Sequence, residues 1–163
     1  MYEIYIKKLS EKLSKNFDIH NNYEFDNLIF DLFAKSSIRN EKYFATKKTI
    51  IYAFENNELC FVKYSENFDN ENYNEYINKL KNYIKNQIDP DTEHMSTMIT
   101  GIIVVDKIYN RNLINKIRKF KYHKGFAFGF KGWLDMRLIL VELEEEKVFG
   151  SKKAKKVEKF YQP

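Results

Sequence analysis

Cysteine occurs once in 163 residues, proline twice, glycine five times and tryptophan once. A single cysteine excludes a disulfide framework and any zinc site built from several thiolates. So little proline and glycine excludes a collagen-like chain or a Pro-rich linker protein, and an apolar fraction of 44% excludes a disordered tail. No apolar run approaches the roughly 20 residues that span a bilayer. The first residues are charged and contain no apolar signal-peptide core, so a soluble cytoplasmic protein with no membrane partner is expected. The signatures GxGxxG, GxxxxGK[ST], GxSxG, HExxH and CxxC are all missing. P-loop enzymes, α/β-hydrolases, zincins and thioredoxin-like proteins therefore have no support.

What is present is aromatic (17%) and charged (31%). The mass of 19.7 kDa suits one domain over residues 1–163, large enough to bury about 70% of the surface of its unfolded chain. The net charge of +5 is uneven. Residues 1–106 carry 13 basic and 17 acidic side chains, and residues 107–163 carry 15 and 6. From Lys107 to Lys131 there are eight cations and no acid: Lys107, Arg111, Lys116, Arg118, Lys119, Lys121, Lys124 and Lys131. Lys152, Lys153, Lys155, Lys156 and Lys159 follow. Such a half attracts an anionic partner, nucleic acid or another polyanion, with Lys116, Lys119 and Lys121 as the expected contacts. The competing reading is a solvated basic face that complements the acidic first half.

Periodicity predicts helices over 2–15, 72–88, 110–121 and 151–161. In the second of these, Tyr73, Tyr76, Ile77, Leu80, Tyr83, Ile84 and Ile88 form one stripe, Asp69 or Asn70 can cap it, and the Asp89–Pro90 step ends it. Residues 16–27 read as a polar loop. Strands are expected over 43–54, 59–64, 99–106, 126–130 and 133–143, with Asn56 and Asn57 as a tight hairpin turn, and the apolar run 28–34, a strand or a buried helix by periodicity alone, is taken as a further strand in the element order. The order α, β, β, β, α, β, α, β, β, α predicts an α/β fold with α+β character: one mixed central sheet of five to seven strands with helices on both faces. Cys60 lies among apolar residues, which favours an inert buried thiol.

The stretches 39–64, 93–106 and 119–143, among them ITGIIVVD and KFKYHKGFAFGFKGW, resemble an uncharacterised domain family of anaerobic bacteria and archaea. That resemblance implies no activity and no catalytic residues. The element order also resembles the core of the restriction-endonuclease-like fold. There an acid early in the second meander strand and an acid-x-Lys pair on the third hold Mg²⁺ and position water. The third strand here offers Phe61, Val62 and Lys63, so the lysine is present and the acid is Phe. The early second strand offers Lys47, Lys48 and Thr49, and Asp31 or Glu41 could substitute only in another register. No Mg²⁺- or Mn²⁺-dependent DNA cleavage is expected.

Four other groups carry candidate chemistry. The acids and His94 of residues 89–94 resemble a cation loop, but without a second histidine or a calcium-loop glycine no metal is expected. Asp106 ends the IIVVD strand, where ligands of α/β sheets gather, or else caps the next helix. Lys121, His123, Lys124 and Lys131, with Tyr122, suit phosphate contact and base stacking. Trp133, Asp135 and Arg137 share one strand face, where the two charges predict an ion pair, extended to Lys131 or Asp106, or an anion pocket under Arg137 beside Trp133. The candidate ligand-binding set is thus Lys63, Asp106, Lys121, His123, Lys131, Trp133, Asp135 and Arg137, with no catalytic residue, metal or cofactor. The leading expectation is a non-catalytic binding or accessory protein. A nuclease-like enzyme with divergent acids and a homo-oligomeric module are the alternatives.

Overall fold

A computed structural model describes residues 1–43, 50–88 and 94–163. Helix α1 (Tyr2–Leu13) is followed by strands β1 (Asp18–Phe25), β2 (Leu28–Tyr43) and β3 (Ile50–Tyr64). Helix α2 (Asn70–Gln87), β4 (His94–Val105), α3 (Asn112–Lys119), β5 (Tyr122–Gly125), β6 (Gly132–Glu142) and β7 (Lys147–Gly150) complete the regular elements, with short 3₁₀ turns at Ala127–Gly129, Lys152–Ala154 and Glu158–Tyr161. The described residues thus form an α/β fold with one mixed sheet of seven strands, ordered β1-β2-β3-β4-β6-β5, with β7 also on β6. β1, β2 and β3 are an antiparallel meander, and β3, β4 and β6 run parallel. No described helix is long and apolar enough to cross a membrane.

The apolar runs become strands because both faces are covered. Leu59, Phe61, Ile99, Ile103, Leu134, Met136, Leu138 and Leu140 meet α2 and α3 through Tyr76, Leu80, Ile84 and Ile117. Cys60, Val62, Ile102, Val104, Ile139 and Val141 meet Tyr5, Leu9 and Leu13 of α1 and Ala154 and Tyr161 beyond β7. Along β6, Leu134, Met136, Leu138 and Leu140 face one cluster and Ile139 and Val141 the other, which puts Asp135 and Arg137 on one face as expected. Asp69 accepts from the backbone N–H groups of Glu71 and Asn72 at 2.8 and 2.9 Å, capping α2 as expected.

Four local readings are corrected. Asn56 and Asn57 are not a turn but lie within β3, opposite Ile38 and Ser37. The Asn56 carboxamide accepts from the Ser96 hydroxyl at 2.8 Å, so the neighbouring strand satisfies a side chain that pointed to a turn. Residues 18–25 form β1 rather than a loop, because β2 supplies a partner for a strand too polar to identify itself. The strand expected over 126–130 falls at Tyr122–Gly125 and is antiparallel to β6, so the parallel partner of β4 is β6. The last predicted helix is replaced by two 3₁₀ turns. Lys47, Lys48, Thr49 and residues 89–93 lie outside the described residues, and His94 opens β4.

Candidate functional site

Strand β6 organises the candidate residues. One of its edges pairs with β4 from Gly132 to Glu142. The other is divided between two short strands, β5 opposite Trp133 to Met136 and β7 opposite Ile139 to Glu142. Between them the Leu138 backbone is met by Ser151, whose hydroxyl accepts at 3.1 Å and whose N–H donates at 2.9 Å. Lys124 of β5 and the lysines that follow β7, far apart in sequence, are thereby laid along one sheet edge.

At the β7 end of this edge lies a cleft of about 610 Å³, lined by Arg118, Phe149, Lys152, Lys155 and Glu158 with Val148 and Gly150. The Arg118 guanidinium stands 5.5 Å from the centre of the Phe149 ring, a cation held over an aromatic face. Helix α3 presents Arg118 here because Leu113 and Ile117 turn inward. Lys119 and Lys121 beside it are exposed. Lys116 instead sits 5.3 Å from the Tyr73 ring of α2. Glu158 is the one acid among the lining residues.

Further along, Asp135 and Arg137 share the predicted face, but they do not pair with each other. Arg137 donates through Nε to Thr100 Oγ1 at 2.8 Å and forms an ion pair with Glu58. Asp135 accepts from His123 at 2.8 Å and pairs with Lys153. Burial alone would raise the Asp135 carboxyl, but hydrogen bonds from Lys153 and His123 outweigh it and hold the group below the ordinary value. Trp133, 39% exposed, borders a cleft of about 240 Å³ with Ser36, Asn56, Glu58, Ser96 and Asp135. Arg137 is thus neutralised by Glu58. Lys131 is exposed in the turn before β6 and joins neither pair among the described residues.

Lys63 and Asp106 lie at the other end of the sheet. Asp106 accepts from the Tyr64 hydroxyl at 2.8 Å, and this bond, with burial, pushes the phenol up to about 12. It does not cap α3, whose first turn uses Asn110 Oδ1 on the Asn112 N–H. The Lys63 ammonium lies 3.7 Å from Asp31 Oδ2, which also accepts from the Tyr64 N–H at 2.8 Å. In the observed register Asp31 is the early acid of the second meander strand, while Phe61 is fully buried against Phe30, Phe33 and Tyr83. Glu41, opposite Ala53, falls at the far end of β2.

The candidate residues therefore divide into two groups. Lys121, His123, Lys131, Trp133, Asp135 and Arg137 lie towards the start of β6, whereas Lys63 and Asp106 lie further along the sheet: Arg137 is level with Thr100 and Cys60, which places Lys63 and Asp106 about 10 and 20 Å beyond it at 3.3 Å per strand residue. Sequence reasoning missed Glu58 and Phe149, which carry no local signal. It noted Arg118, Lys152, Lys153 and Lys155 only as charge. No group of three or more metal-ligating side chains occurs among the described residues. A family model described as Domain of unknown function (DUF8052) matches residues 1–163. No curated protein and no solved structure gives a match.

Proposed function

The chain belongs over residues 1–163 to this DUF8052 family, and we propose that it is a non-catalytic binding protein that holds a polyanion along the outer edge of β5 and β7. The observation that carries the reading is the cleft in which Arg118, Lys152 and Lys155 converge against a single acid, Glu158. Three cations with one counter-charge leave a net attraction for phosphate, and Phe149 adds an apolar face for a group attached to it. Lys119 and Lys121, exposed and close to Arg118 in sequence, add to the positive field. Binding of this kind tolerates sequence and weakens steeply with salt.

Fluorescence anisotropy of labelled single- and double-stranded oligonucleotides tests it. Arg118→Ala, Lys152→Ala and Lys155→Ala together should reduce the slope of log K against log salt by about 2 for a single strand. Absence of binding at about 50 mM salt, where such contacts are strong, would end the proposal. The approach of Lys63 to Asp31 supports a second reading, a nuclease-like site with divergent acids. Cleavage of DNA with Mg²⁺ or Mn²⁺ that disappears in Lys63→Ala would promote that reading over the first.

A further inference from the structure

The turn between β5 and β6 is built at a conformational cost. Ala127, Phe128 and Gly129 are consecutive residues with φ of 47°, 56° and 87°, and two of them carry side chains that rarely adopt this region. The turn is nevertheless fully closed. The Phe126 N–H donates to Gly132 O at 3.0 Å, and Phe126 O accepts from the N–H groups of Gly129 and Lys131 at 2.9 and 3.2 Å. The Phe130 N–H donates to Ala127 O at 3.0 Å. Phe126 itself is buried and anchors the loop. What the strained backbone achieves is the display of two rings, Phe128 at 103% and Phe130 at 86% exposure. Lys124 and Lys131, both exposed, stand at its two feet.

From this we infer that Phe128 and Phe130 are stacking posts for unpaired bases, and that the polyanion is single-stranded nucleic acid. The inference rests on the polyanion reading and names its ligand class. Aromatic faces beside lysines are the means by which proteins hold single strands without reading sequence, the rings taking bases and the ammonium groups taking phosphates. Placement favours a strand over other anions. β5 and β7 share one edge of β6, so the loop and the cleft lie on one line. Eight strand residues separate Gly132 from Leu140, the partner of Phe149, which is about 26 Å at 3.3 Å per residue. A flexible strand can occupy both ends of such a track. A bilayer would also accept the rings and lysines, but it would leave the cleft of about 610 Å³ unfilled.

The test uses the full chain with labelled oligothymidylate and a duplex of equal length, and circular dichroism to confirm folding. Phe128→Ala with Phe130→Ala should weaken single-strand binding about tenfold or more. Duplex binding and the salt slope should stay the same, and Phe128→Trp with Phe130→Trp should retain single-strand affinity. Undiminished single-strand binding in the alanine double variant, combined with loss in the Arg118, Lys152 and Lys155 triple variant, would overturn the stacking role and leave the polyanion reading standing. Failure of the unaltered protein to bind either oligonucleotide at low salt would overturn both. Sedimentation with phosphatidylserine vesicles that depends on the two phenylalanines, without oligonucleotide binding, would replace the strand by a membrane surface.

Discussion

A charged side chain on a strand has nearer neighbours across the sheet than along its own chain. Residues two apart on one face are separated by about 6.6 Å of strand, whereas directly opposed residues have Cβ atoms about 5 Å apart. His123 is the register partner of Asp135, and Thr100 that of Arg137. The two charges of β6 therefore choose other strands, although the same-face spacing that suggested an ion pair was correctly read. The Asp135 carboxyl is held below its ordinary value, so its ionised form is favoured in the folded state. Its contribution is present above the unfolded value of about 3.9 and is lost as pH falls through the lower folded value. Asp135→Asn should lower the urea midpoint above about pH 5, and the difference should shrink towards zero in stronger acid. Urea melts of both proteins between pH 2 and 7 would check this.

Elements meet where small residues allow it. A Cβ on Gly101, in the middle of β4, would stand 2.8 Å from Leu138 Cδ2, 2.9 Å from Leu80 Cδ1 and 3.1 Å from the Tyr76 ring. Helix α2 thus rests directly on the strand, and Tyr76, fully buried, donates its hydroxyl to Phe61 O at 2.7 Å. Gly101→Ala should cost about 1–3 kcal/mol through overpacking, seen as a lower thermal midpoint with unchanged far-ultraviolet circular dichroism. The helices of this layer were legible because a stripe at 3.6-residue spacing repeats over several turns, as from Tyr73 to Ile88. The long meander was less so. Asn56 and Asn57 carry a turn signal that β2 and β4 override by pairing on both sides, and β1 alternates too weakly to announce itself without β2.

At the scale of the molecule, the two ends of the chain close one face of the sheet. Tyr5 of α1 donates to the Tyr161 carbonyl at 2.8 Å, and the Tyr161 hydroxyl lies 3.7 Å from Cys60 Sγ. Burial pushes the Cys60 thiol up to about 12, so it is inert, as its apolar neighbours suggested. Tyr161→Ala should cost about 3–5 kcal/mol, as for other large buried rings, and should make Cys60 accessible to Ellman's reagent under conditions in which the native protein does not react. The sequence alone determined the α/β class, the apolar strands expected over 99–106 and 133–143, the amphipathic α2 and the basic second half, because periodicity and charge are local properties of the chain. Tertiary structure decided which charges are spent and which remain. Arg137 is neutralised by Glu58 from 79 residues away, and Arg118 joins Lys152 and Lys155 only because α3 packs against β6 and β7. A partner across strands is fixed by register, and register depends on every strand in the sheet at once.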